Sequence, residues 1–194
     1  MFQHLTLYKK LLLITAAYIL LGFFIVYFYI VSISVTRNWA KVLLAFAQCW
    51  NFLGIAFIFF QTFKYVRLNA FYYQLRPFET PRYFKSLGVI IFQTILINSF
   101  FRYLNPRVYL KGRKRDYIKI YHDETRLSET SHLLSFCLTL LLQAVYIYKE
   151  EFLLFAALTL FSIIFNIYPI LLQRKNRFLL EHKFGKYIDF HFKK

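Results

Sequence analysis

One pair of residues in this largely apolar chain has the types and spacing for acid–base chemistry. Glu129 and His132 stand three positions apart, so on a helix they lie on one face. A carboxylate at that distance can orient an imidazole and stabilise its cationic form, which suits a general base. The same pair is also compatible with a plain helix cap. Spacing alone therefore leaves a catalytic and a structural interpretation open.

A second polar group lies about 35 residues further along the chain. On a helix with about 100° per residue, Asn166, Gln173 and Arg177 fall within about 20° of one line, and Arg174 and Asn176 flank it. Arginine and asparagine can bind phosphate or a developing oxyanion. Basic residues that follow an apolar segment are also common anchors for lipid headgroups. Both interpretations place this group at a membrane surface.

The elements that position these residues are indicated by composition. Hydrophobic residues make up 59% of the 194, aromatic residues 22%, and the net charge is +16. A soluble domain of this size would expose too much apolar surface to remain monomeric, whereas a bilayer buries it and leaves basic loops beside anionic headgroups. No nucleic-acid-binding module is recognisable, so nucleic acid is not expected as a partner. The sequence predicts an all-α integral membrane protein.

Uncharged stretches mark the candidate membrane segments. Three are long enough to cross about 30 Å of hydrocarbon: Leu11–Val35, Val42–Phe63 and Phe152–Gln173. Leu133–Tyr148 is a shorter fourth. Ser86–Phe101 carries polar side chains and is either a full span or a re-entrant or interfacial helix. We therefore predict about four transmembrane helices plus one short re-entrant or interfacial helix, with five spans as the alternative.

The distribution of charge favours four spans. The predicted loops 64–85 and 102–132 carry five and eight Lys or Arg residues, and the predicted tail 174–194 carries seven. Only a non-crossing fifth helix keeps both loops and the tail on one side, as the positive-inside rule requires. We expect residues 1–194 to form a single polytopic domain in a bacterial inner membrane. Both termini and the basic loops would be cytoplasmic, beside anionic headgroups.

Several familiar catalytic motifs are missing from the sequence. No histidine is followed five residues later by aspartate, and neither a GxSxG nor an HExxH pattern occurs. A glycine-rich phosphate loop is missing too. The sequence therefore predicts neither a metal site nor a bound cofactor.

The two polar groups resemble the signatures of one membrane-protein family. N-I-Y-P-I-L-L-Q-R-K-N-R, from Asn166 to Arg177, is similar to a motif at the end of the last span of the glycosyl-4,4'-diaponeurosporenoate acyltransferases. Glu129 and His132 match the E-x-x-H motif that enters the preceding span in that family. The resemblance covers residues 98–180. It implies transfer of a fatty acyl group, from a donor such as acyl-CoA, to a sugar hydroxyl of a glycosylated carotenoid or similar glycolipid in a staphyloxanthin-type pathway.

The resemblance also implies residue roles. His132 would take the proton from the sugar hydroxyl, and Glu129 would orient its ring. The arginines and amides of the second motif would bind the substrates, with Arg174 and Arg177 on phosphates of the donor, and Asn166, Gln173 and Asn176 on the acceptor or the oxyanion. No cofactor is implied, because acyl-CoA would act as a co-substrate.

Two other functions are compatible with the sequence. A small S-adenosylmethionine-dependent membrane methyltransferase has a similar number of spans, and the stretch from Glu181 to Tyr187 is like the tails of such enzymes, although their R-H-P sequence is missing. A non-catalytic membrane scaffold would need only the basic loops. Such a scaffold would tolerate replacement of Glu129 and His132.

Overall fold

The computed structural model describes residues 16, 27, 36–62, 68–99 and 116–188. All regular structure in this part of the chain is helical, and these residues form no strand. The prediction of an all-α protein is confirmed for them. We label the helices α1 (Asn38–Thr62), α2 (Ala70–Tyr73), α3 (Pro81–Ser86), α4 (Val89–Asn98), α5 (Asp116–Tyr148), α6 (Phe152–Ser162) and α7 (Tyr168–Ile188).

Among the described residues, three helical stretches are long and apolar enough to cross a membrane, namely Asn38–Phe60, Ile120–Tyr148 and Phe152–Lys183. The predicted span Leu11–Val35 lies outside the described residues, apart from positions 16 and 27, so the count of four or five spans stays a prediction. Helix α4 has 10 residues and a length of about 15 Å, about half the hydrocarbon thickness.

Two helices extend well beyond the apolar stretches that predicted them. Residues 116–132, expected as part of a basic loop, are the first half of α5. Residues 174–188, expected as a tail, continue α7. Neither segment contains proline, and their charged and polar residues are mostly tolerated in helices. Hydropathy marks where lipid-facing surface ends, whereas a helix continues until its backbone hydrogen bonds are interrupted.

The described residues belong to two compact units. The first includes 36–62 and 130–167. In this unit α1 packs along α6, and small residues such as Ala45, Cys49 and Ala157 permit close approach of the helices. The Gln48 amide donates a 2.5 Å hydrogen bond to the Tyr146 hydroxyl on α5. A polar contact of this kind fixes helix register in an apolar setting.

The end of the first unit has a wide helical turn. Residues Ile163–Ile167 form a π-helical segment between α6 and α7, and Pro169 follows two residues later. Proline has no N–H, so it cannot donate to the carbonyl four residues earlier, which is that of Phe165. Wide turns of this kind often occur at functional sites.

The second unit includes 68–99, 116–129 and 168–188. Short helices build its first part, and the Thr80 hydroxyl caps α3 by accepting from the Tyr83 amide, with Pro81 in the first helical position. Phe84, Val89 and Leu172 form a buried core that joins α3, α4 and α7. This core holds the segment around residue 79 against α7.

Gly88 links α3 and α4 in a left-handed conformation, with φ of 71°. A Cβ there would lie 3.6 Å from the Tyr168 hydroxyl, so space permits alanine but the backbone does not. We expect Gly88→Ala to destabilise the protein by about 1–2 kcal/mol. Gly54→Ala is the control, because a Cβ at that helical position meets nothing within 4 Å. Thermal unfolding in detergent should show a lower midpoint for Gly88→Ala only. Equal midpoints for the two variants would contradict the requirement for glycine at position 88.

Candidate active site

Arg174 lies at the centre of an ion-pair cluster in the second unit. Its Nε donates to Glu79 Oε1 and its Nη2 to Glu79 Oε2, the latter at 2.6 Å. Its Nη1 donates to Glu129 Oε1 at 3.0 Å and to the Tyr72 carbonyl at 3.3 Å. Nη2 also donates to the Gln74 carbonyl at 3.0 Å. A guanidinium has five N–H groups, and these five contacts use all of them.

The contacts of Arg174 differ from the role that the resemblance implies for it. A phosphate of the donor was the expected partner, but no N–H of this guanidinium is left for one. The bidentate pair with Glu79 and the two backbone carbonyls instead tie the segment before α3 to α7. Arg174 is therefore a structural residue of the second unit.

Glu129 is fully buried on α5 and faces two arginines of α7. Its Oε1 accepts from Arg174, and its Oε2 accepts from Arg177 Nη2 at 2.5 Å. Both carboxylate oxygens are thus used by guanidinium groups. These contacts indicate an ion-pair anchor, whereas the resemblance implied a carboxylate that orients an imidazole.

Two tyrosines of α2 border this cluster. The centroid of the Tyr73 ring lies 5.3 Å from the guanidinium carbon of Arg126 and 5.5 Å from that of Arg177, so the ring contacts two cations. Burial raises the pKa of the Tyr72 hydroxyl well above its ordinary value, and the negative charge of Glu129 raises it further. Tyr72 is therefore neutral at physiological pH.

Glu79 makes the second unit sensitive to acid. Burial alone would raise the pKa of its carboxyl, but hydrogen bonds from the Arg174 guanidinium and the Arg76 amide outweigh burial, so the pKa lies below the ordinary 4.5. A lowered pKa in the folded state contributes stability above the unfolded pKa and loses it as pH falls through the folded value.

We therefore expect the thermal unfolding midpoint to decrease as the pH is lowered below about 4.5. Glu79→Gln should have a lower midpoint at neutral pH and a shallower decline in acid. Thermal unfolding of both proteins across the acid range measures this difference, and parallel curves would contradict it.

His132 belongs to the first unit, on α5. Its Nδ1 lies 2.8 Å from the Phe165 carbonyl oxygen, to which Pro169 cannot donate a hydrogen bond because it has no N–H. A carbonyl only accepts, so Nδ1 must carry the proton of the neutral ring and Nε2 holds the lone pair. The residue is partly buried. This arrangement fixes the ring orientation and leaves the lone pair on Nε2.

The same unit contains a ladder of polar contacts that joins α1, α5, α6 and the π-helical segment. Thr139 on α5 is 3.0 Å from the Ser162 hydroxyl, and Asn166 Nδ2 donates to that hydroxyl at 3.1 Å. Asn166 also contacts Cys49 on α1. Asn166 Oδ1 and Ser135 Oγ are buried without a hydrogen-bond partner among the described residues. The ladder gives Asn166 a packing role in this unit.

The remaining predicted residues, Gln173 and Asn176, are buried on α7. Two groups of the candidate site, the Glu79 carboxylate and the Phe165 carbonyl, were not predicted from the sequence. Glu79 is the single acidic residue of the segment 64–85, and that isolation among basic residues was the available signal. The Phe165 carbonyl could have been found from Pro169, which lies four residues later and leaves that acceptor without its usual donor.

Comparison with known protein families finds a match to this chain. The sequence model of the family described as glycosyl-4,4'-diaponeurosporenoate acyltransferase matches residues 68–185. This range contains Glu79 and both predicted motifs. No curated protein and no solved structure matches the chain. Because the match covers more than half of the sequence, the chain belongs to the glycosyl-4,4'-diaponeurosporenoate acyltransferase family.

Proposed function

We propose that the protein transfers a fatty acyl group from acyl-CoA, or a similar thioester, to a sugar hydroxyl of a glycosylated carotenoid or related glycolipid, with His132 as the general base. Membership of the family indicates an acyltransferase of carotenoid synthesis. The observation that carries the residue assignment is the contact of His132 Nδ1 with the Phe165 carbonyl. It leaves Nε2 as the nitrogen that accepts a proton.

The proposed reaction needs one proton transfer in each direction. His132 Nε2 takes the proton of the sugar hydroxyl while the oxygen attacks the thioester carbonyl carbon. The tetrahedral intermediate then collapses, the carbon–sulfur bond breaks, and the thiolate receives the proton from Nε2. The products are an ester and a free thiol. The imidazole returns to its starting tautomer because the Phe165 carbonyl keeps the proton on Nδ1.

A membrane location fits these substrates. The acyl chain and the carotenoid partition into lipid, and three helical stretches of the chain are long and apolar enough to cross a bilayer. We propose that the acceptor approaches from the bilayer and the donor from the cytoplasm. The protein would then act in a bacterial cell membrane, with both termini and its basic segments on the cytoplasmic face.

Acyl transfer in isolated membranes tests the proposal. Membranes with and without the protein would receive labelled acyl-CoA and a glycosylated carotenoid acid, and an acylated product would be sought by chromatography. Label in that product only with the protein present is the expected result. No product from inserted, folded protein would overturn the proposal. Methyl transfer from labelled S-adenosylmethionine would instead support the methyltransferase alternative.

A further inference from the structure

Two consecutive residues of α7 bury hydrogen-bond donors for which the described part of the chain offers no acceptor. Nε and Nη1 of Arg177 and Nδ2 of Asn176 make no hydrogen bond among the residues that the structure describes. Arg177 is 0% exposed and Asn176 is 4% exposed. Arg177 uses only Nη2, in its contact with Glu129. Buried donors are almost always satisfied in native proteins, so these three nitrogens require an explanation.

A bound oxyanion would explain them. A buried guanidinium is costly unless its N–H groups are paired, and oxygens of a phosphate are the acceptors that it pairs with best. All three unsatisfied atoms are donors, and none is an acceptor, so the ligand must offer acceptor oxygens, and a ligand that offers only N–H donors is excluded. We infer that Arg177 and Asn176 form a binding site for a phosphate group.

The neighbouring charges favour Arg177 over the other cations of α7. Arg174 has no N–H left, and Lys175 donates to the Gln93 side chain at 2.5 Å. Glu129 balances part of the charge of Arg177 but contacts one of its nitrogens only. The Tyr73 ring lies against the guanidinium and contributes no acceptor oxygen there. Arg177 therefore combines full burial with unused donors.

The site deepens the proposed function, because a thioester donor such as acyl-CoA carries phosphates, and the identity of the ligand rests on that function. A phospholipid headgroup offers the same chemistry. Direct binding separates the site from the reaction. If the protein transfers the acyl group but does not bind the phosphate ligand, only the proposed phosphate site is wrong. If it binds the ligand but transfers no acyl group, only the proposed reaction is wrong.

The binding test uses the full chain in dodecyl maltoside, a detergent without phosphate. The unfolding midpoint would be measured with added CoA, with added phosphatidylglycerol and with neither. Arg177→Lys keeps a cation for Glu129 but loses the planar donors, and Asn176→Ala removes the amide without changing charge. Lys175→Ala is the matched control, since it removes a positive charge from the adjacent position of the same helix.

We expect a phosphate-bearing ligand to raise the midpoint of the wild type and of Lys175→Ala. The apparent affinity should fall about tenfold or more in Arg177→Lys and by a smaller factor in Asn176→Ala. A higher unfolding midpoint with CoA alone would identify a soluble donor as the source of the phosphate. A higher midpoint with phosphatidylglycerol alone would identify a lipid headgroup as the source. An unchanged wild-type midpoint with both ligands, or an unchanged affinity in Arg177→Lys, would overturn the site.

Discussion

Arg174→Ala is expected to destabilise the second unit by about 3–5 kcal/mol, the cost of removing one partner from a buried ion pair. Glu79 and Glu129 are 4% and 0% exposed. Without Arg174, Glu79 loses its side-chain ion-pair partner, and Glu129 loses one of its two ion pairs and retains the one with Arg177. The carbonyls of Tyr72 and Gln74 also lose a donor. The loss should appear as a lower unfolding midpoint and as rapid proteolysis within residues 68–80.

Two variants distinguish this ion-pair mechanism from a simple loss of side-chain volume. Arg174→Lys keeps the charge but cannot make five contacts in a planar fork, so we expect it to recover only part of the stability. Lys175→Ala removes a neighbouring cation whose contact is a single bond to Gln93, and it should cost less than about 1 kcal/mol. Equal losses for Arg174→Ala and Lys175→Ala would contradict the central position of Arg174.

Part of this cluster is predictable from the sequence, because polar residues within apolar helices rarely face lipid. That rule predicts that polar residues of the two helices, such as Glu129 and Arg177, face each other, but it cannot assign their separate roles. A sequence does not distinguish an arginine that donates five hydrogen bonds, as Arg174 does, from one that donates a single hydrogen bond among the described residues, as Arg177 does. The partners of Arg174 also include two backbone carbonyls at the C-terminal end of the short helix α2, which no side-chain pattern indicates.

Helix boundaries are predicted less well for a related reason. The apolar stretches Leu133–Tyr148 and Phe152–Gln173 indicate the lipid-facing lengths, yet α5 begins at Asp116 and α7 ends at Ile188. The added turns bury polar side chains such as His122 and Glu129 against other polar groups. Such turns carry no hydropathy signal, and only the lack of proline and of glycine clusters indicates them.

Replacement of His132 should abolish most of the activity that we propose. General base catalysis contributes about 100-fold to 10 000-fold to a rate. His132→Asn is the informative variant, because an asparagine Nδ2 can take the place of Nδ1 in donating to the Phe165 carbonyl. It keeps the 2.8 Å contact that the imidazole makes and removes the basic nitrogen. We expect a folded, inserted protein whose transfer rate has fallen by about 100-fold or more.

His182 provides a matched control for this experiment. It is another histidine of the described chain, exposed on α7, and its ring stacks on Phe178 with centroids 5.8 Å apart. His182→Ala removes an imidazole without touching the polar ladder of the first unit. Its transfer rate should stay within about twofold of the wild type, as expected for an exposed substitution.

The most direct test of the central claim is the rate of acyl transfer to a glycosylated carotenoid acid by wild type, His132→Asn and His182→Ala, in membranes that contain equal amounts of inserted protein. We predict product from the wild type and His182→Ala, and a rate lower by about 100-fold or more for His132→Asn. A His132→Asn rate close to that of the wild type would contradict the assignment of His132 as the base.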